Sequence, residues 1–161
     1  MTCELPIWRP KEESPSIEDN CSWKDAAARK MYDEVSKSVV RINVGWGKNA
    51  SGFFVGTGDE VMTNAHVATA AARDPLEVIA KDGKKYTALI ESIDTASDLA
   101  VLKVQGLNPG TYKPLQFRPS QSMQIGEKIF MLGHPGGRSD VYISPGRLEE
   151  RGTVQSLEDY D

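Results

Sequence analysis

The sequence predicts an all-β fold, a barrel or a sandwich, with one helix near its start. Successive short runs alternate apolar and polar side chains, as half-buried strands do. Turn residues punctuate those runs, and a clear helical spacing of apolar residues precedes them.

Residues 1–21 are rich in Pro, Glu and Ser without periodicity and read as an extended tail. Ser22 suits a helix N-cap, with Asp25 three positions on as in a capping box. Ala28, Met31, Tyr32 and Val35 then share one helical face, and the helix is expected to end near Ser36. In "SVVRINVG" the period becomes two: Val40, Ile42 and Val44 alternate with Arg41 and Asn43. "SGFFV" is a second strand, and "GTGDE" turns into "VMTNAHV". A short helix over 67–73 is expected to stop before Pro75, because the residue preceding a proline disfavours the α region.

"LEVIAKDGKKYTALIESI" has the form of a β-hairpin, with Asp82-Gly83 suited to a type I′ turn. "DLAVLKV" is the next strand, and residues 105–126 resemble a surface linker. "EKIFMLG" and "DVYIS" resume the strands, with "RGTVQSL" expected as the last.

Composition narrows the function. The chain has 161 residues, a formal net charge of −4 and 26% charged residues, with Lys and Arg dispersed. Only "KDGKK" is locally basic, and a solvated hairpin tip accounts for it, so nucleic acid is not an expected partner. No apolar run approaches the roughly 18 residues that span a bilayer. Cys3 and Cys21 leave one disulfide or two free thiols open, and neither has zinc-ligand spacing. No secretory leader is visible at the N-terminus. No cofactor motif occurs, and the spacing of His66, His134 and the acidic residues matches no metal site.

Two residues stand out chemically. His66 sits where a strand gives way to a short helix, a place that holds a ring rigidly, although a locally hydrogen-bonded structural histidine fits there too. Asp98 directly precedes an apolar strand, so its carboxylate is expected to be partly buried and in need of hydrogen bonds. The Nδ1–H of a histidine would satisfy it and leave Nε2 free as a base. The plainer reading of Asp98 is a strand-start cap on backbone amides; Asp94 is a rival placed in a more exposed turn.

The pieces "SGFFV", "TNAHV", "DLAVLKV" and "GEKIFMLGHPGG", in that order, resemble trypsin-like serine proteases, closest to the bacterial HtrA branch. The resemblance covers roughly residues 28–160, and "KMYDEVSKSVVRINV" is similar to the entry of that domain. It implies two six-stranded barrels with the active site between them, and a His-Asp-Ser triad in that chain order. By the resemblance His66 is the general base, Asp98 orients it and the substrate is a polypeptide. After the tail that composition gives over 1–21, it also implies helix and first barrel over 22–110, a linker over 111–126 and the opening strands of a second barrel over 127–161. An extracytoplasmic location follows from the resemblance alone.

The sequence departs from the family in two places. Where the family has "GNP" this chain has "GHP", so His134 replaces an asparagine and reads as a loop residue. No Gly-[Asn/Asp]-Ser-Gly-Gly motif occurs. Ser51 matches a strand position that packs, Ser144 is expected to begin a turn, and Ser156 lies near the end. The expectation is therefore a serine endopeptidase seen as its N-terminal portion, inert alone, with the rest of its own domain as a partner. The alternative is a pseudoprotease that binds peptides or proteins without cutting them.

Overall fold

The computed structural model describes residues 26–70 and 75–150. Helix α1 (Ala26–Val35) leads through a 3₁₀ turn, Ser36–Ser38, into strand β1 (Val39–Asn43). Then come β2 (Asn49–Val55), β3 (Glu60–Thr63), helix α2 (Ala65–Ala70), β4 (Leu76–Ile79), β5 (Lys85–Asp94) and β6 (Leu99–Val104). A long irregular stretch reaches β7 (Lys128–Gly133), and β8 (Tyr142–Arg147) follows. The caps expected at Ser22 and Asp25, the cysteines Cys3 and Cys21, Ser156 and the strand "RGTVQSL" lie outside the described residues.

The first six strands close into an antiparallel barrel with ring order β1-β2-β3-β6-β5-β4. Closure comes from β1, which pairs with β2 on one side (Ile42 opposite Ala50) and with β4 on the other (Ile42 opposite Val78). The period-two pattern becomes burial: Val40, Ile42, Phe54, Val61, Val78 and Leu102 are sealed from solvent and meet in one core. Such alternation buries one face of each strand, and the apolar area removed from water drives closure. Gly52 of "SGFFV" is a packing necessity. A β-carbon there would come within 2.8 Å of Ile42 Cδ1 and 2.9 Å of the Met62 carbonyl oxygen.

On α1, Ala28 is fully buried while Met31, Tyr32 and Val35 are half-buried, so the expected face is the one turned inward. The β4–β5 connection differs from the expected type I′ turn. Gly83 has φ +83° but Asp82 does not share a positive φ. The amide of Gly83 donates to the Ala80 carbonyl (2.9 Å), and Asp82 Oδ1 accepts the amide of Lys84 (3.1 Å). This is a type I turn closed by a left-handed glycine, the usual geometry of a three-residue hairpin loop.

The stretch expected as a surface linker is partly strapped to the barrel. Leu107 is buried, and the Tyr112 ring stacks on Phe54 with centroids 4.7 Å apart. Tyr112 Oη also donates to Asp82 at the β4–β5 tip, and the amide of Leu115 donates to the Phe54 carbonyl (2.8 Å). Polar composition suggested exposure; Tyr112, Leu107 and Leu115 decide otherwise, while Phe117 of the same stretch stays exposed.

Strands β7 and β8 form a separate two-stranded antiparallel sheet. Ser144, expected at the start of a turn, lies inside β8 opposite Met131. The end of β7 is tied to the barrel: the amide of His134 donates to Ser51 Oγ (2.8 Å), and Arg41 Nη1 donates to the Gly137 carbonyl (3.1 Å).

Candidate active site

Residues 66 and 98 meet because of strand register. Strands β3 and β6 are antiparallel neighbours whose last aligned pair is Thr63 with Ala100. Beyond that pair the chain of β3 turns into α2 at Ala65, two residues earlier than the expected start at 67. His66 therefore sits in the first turn of α2, beside the residue that leads into β6. Ala65 and Val67 are buried on either side of it, which fixes the helix while the ring projects outward.

His66 Nδ1 lies 2.7 Å from Asp98 Oδ2. The backbone amide of His66 donates to the other oxygen, Asp98 Oδ1, at 2.9 Å. One carboxylate thus holds both the ring and the backbone of the same residue. It bonds a backbone amide and the histidine ring at once, two kinds of partner that the sequence offered as alternatives, and the amide belongs to α2 rather than to the strand that Asp98 precedes. The Asp98 side chain is 18% exposed and the His66 side chain 70%.

The amide of His66 is the main cause that holds the Asp98 carboxyl below the usual carboxylate range. Burial opposes it, and the His66 ring reinforces it. An ionised carboxylate accepts only, so Nδ1 carries the proton and Nε2 is left with its lone pair. Among the described residues nothing is hydrogen-bonded to Nε2. An imidazole held in this way can take a proton at Nε2 from a donor arriving from solvent or a ligand.

The rival Asp94 is engaged elsewhere: its carboxylate accepts from the Ala96 amide (3.0 Å) and from Ser97 Oγ (2.7 Å). Two further features of the pair were not anticipated. Asp98 has φ +52°, a left-handed conformation that costs a non-glycine residue about 1 kcal/mol and that aspartate tolerates better than most. Asn64 Nδ2 donates to the Asp98 carbonyl oxygen at 3.0 Å. A polar residue at the end of a strand was the only signal of it in "TNAHV".

No Ser, Thr or Cys side chain among the described residues is hydrogen-bonded to the His66 ring. Ser51 accepts from His134, and Ser144 is embedded in β8. His134 is buried, its Nδ1 lies 2.9 Å from the Arg138 carbonyl, and its described partners do not include His66 or Asp98. Among the described residues no group of His, Cys, Asp or Glu is arranged to hold a metal ion. A groove of about 520 Å³ opens beside the pair, and Asn64 and Leu99 belong to its lining together with Phe53, Phe117 and Leu132.

Comparison with known proteins gives the family. The profile of a family described as "Trypsin-like peptidase domain" matches residues 50–160. The chain is 39% identical over 105 residues to a "Probable periplasmic serine endoprotease DegP-like" of Chlamydia muridarum, covering 65% of this chain and 20% of that protein. It is 34% identical over 87 residues to "Serine protease HTRA2, mitochondrial" of Drosophila grimshawi, covering 54% of this chain and 20% of that one. The Drosophila ananassae protein of the same name is 33% identical over the same share. The chain thus spans about a fifth of the length of these relatives.

Proposed function

The chain belongs to the trypsin-like peptidase family, and on that footing we propose that it carries the base-bearing part of a serine endopeptidase site acting on polypeptides. His66 is the general base and Asp98 the residue that orients it. The observation that carries this reading is the double grip of one carboxylate on the Nδ1 and the backbone amide of His66. In the reaction Nε2 takes the proton of a serine hydroxyl as its oxygen bonds to the scissile carbonyl carbon. It then gives that proton to the leaving amine, while Asp98 stays ionised and supports the imidazolium.

The nucleophile is the missing part. The sequence has no serine in a Gly-[Asn/Asp]-Ser-Gly-Gly setting, so the proposal places it in polypeptide outside these 161 residues. In this reading residues 22–110 hold the first barrel, 111–126 the linker, and 127–161 the opening strands of a second barrel. The chain alone then has a base with no serine to activate and does not turn over. An extracytoplasmic location is proposed from the relative named periplasmic. No helix among the described residues is long and apolar enough to cross a membrane.

Labelling by a fluorophosphonate tests the proposal. The whole protein is expected to label, and the His66→Ala form to lose labelling and peptide hydrolysis while keeping its fold. Hydrolysis retained by His66→Ala defeats the assignment of the base. The lack of a serine in the family motif favours a second reading, a pseudoprotease that binds peptides. Absence of labelling in the whole protein, where a trypsin control labels, decides for it.

A further inference from the structure

We infer that Asn64 is a positioning residue for the His66–Asp98 pair, holding the backbone of Asp98 in the turn from which its carboxylate reaches His66. The inference rests on the proposed roles of that pair. The β3–β6 ladder ends at Thr63 and Ala100, and no backbone rung follows it. In its place the Asn64 side chain crosses the gap and donates to the Asp98 carbonyl oxygen at 3.0 Å.

That carbonyl belongs to the one residue of the pair with a strained backbone, φ +52°. A left-handed aspartate has an accessible extended alternative, and rotation into it would swing the carboxylate away from both the ring and the amide of His66. The preceding residues do not hold it by themselves. The carboxylate of Asp94 ties down Ala96 and Ser97, one residue short of Asp98. The His66 side supplies donors that reward the correct turn, and Asn64 supplies the lock on the peptide that follows it.

The chemistry at position 64 is specific. The group must donate, because its partner is a carbonyl, and it must reach across the space between two strand ends. Asparagine does both without adding charge beside the carboxylate. An aspartate has the same shape but only acceptor oxygens. The side chain is exposed, so its replacement leaves the barrel core untouched.

Nuclear magnetic resonance on this chain tests the inference without any need for turnover. The wild type is expected to show a low-field, slowly exchanging Nδ1–H resonance of His66 and a protected His66 amide. In Asn64→Ala and in Asn64→Asp that resonance is expected to broaden away and amide protection at His66 to fall by about tenfold or more. Core amide signals and the thermal midpoint should stay close to wild type. Loss in Ala alone, with Asp behaving as wild type, overturns the donor role, as does retention of the resonance in both variants. A purely structural role for Asn64 would lower the thermal midpoint and leave the His66 signals in place, which also overturns it.

In the whole protein the alanine variant is expected to lower kcat by about 10²-fold, the cost of a small misplacement, with little change in KM. A wild-type spectrum without the Nδ1–H resonance would remove the pair itself. A whole protein that fails to label would remove the protease reading and leave the result for Asn64 standing.

Discussion

At the scale of single residues, Asp98 does the most with the least. Its two oxygens fix the tautomer, the ring and the backbone of His66, so a change of one atom has a large consequence. Asp98→Asn replaces an acceptor by a group that also donates, and the ring can then present the wrong nitrogen. In the whole protein this substitution is expected to cost about 10⁴ in kcat. Steady-state kinetics on a peptide substrate check it, and a loss below about tenfold would deny Asp98 the orienting role. The pairing was legible in the sequence because a carboxylate ahead of an apolar strand has to find a donor. The left-handed backbone of Asp98 and its link to Asn64 were not. Both depend on how two strand ends meet, which no local pattern encodes.

At the scale of elements, the β7–β8 hairpin is attached through a histidine that avoids charge. Burial pushes the proton affinity of His134 below that of an ordinary histidine, and the Arg41 cation acts in the same direction. The Arg138 carbonyl and Asp140 oppose it. A free histidine binds a proton near pH 6.5. As pH falls through that value the unfolded chain is protonated before the folded one, so the contribution of His134 is complete above about 6.5 and declines below it. Urea midpoints compared at about pH 7.5 and about pH 5.5 should drop more for wild type than for His134→Asn. Equal slopes would show that His134 carries no such linkage.

Strands read well from the sequence at this scale, since period two maps directly onto burial, as Val40 and Ile42 show. Element ends read less well. The first turn of α2 is bonded through the His66 amide to Asp98, 32 residues away, and the turn at Asp82-Gly83 through local bonds to Ala80 and Lys84 that hydrophobic periodicity does not report.

At the scale of the whole molecule, one aromatic stack joins the barrel core to the segment that leaves it. Phe54 is fully buried and carries Tyr112, which in turn reaches the β4–β5 tip. Phe54→Ala is expected to cost about 3–5 kcal/mol, the range for deleting a buried ring. Denaturant unfolding measures it, and a loss under about 1 kcal/mol would mean that the core closes over the gap. The barrel was legible from its alternating strands; the strap was hidden because Tyr112 lies in a stretch whose glycine, proline and asparagine suggest solvent. Ring closure has one more consequence. A sheet bent round until its first and fourth strands pair gives other chains no outer strand to template on, which is how barrels avoid edge-to-edge aggregation. The β7–β8 ladder, by contrast, is only two strands wide among the described residues. Growth of the sheet, whether by the protein's own continuation or by unwanted association in a concentrated sample, therefore has its opening there.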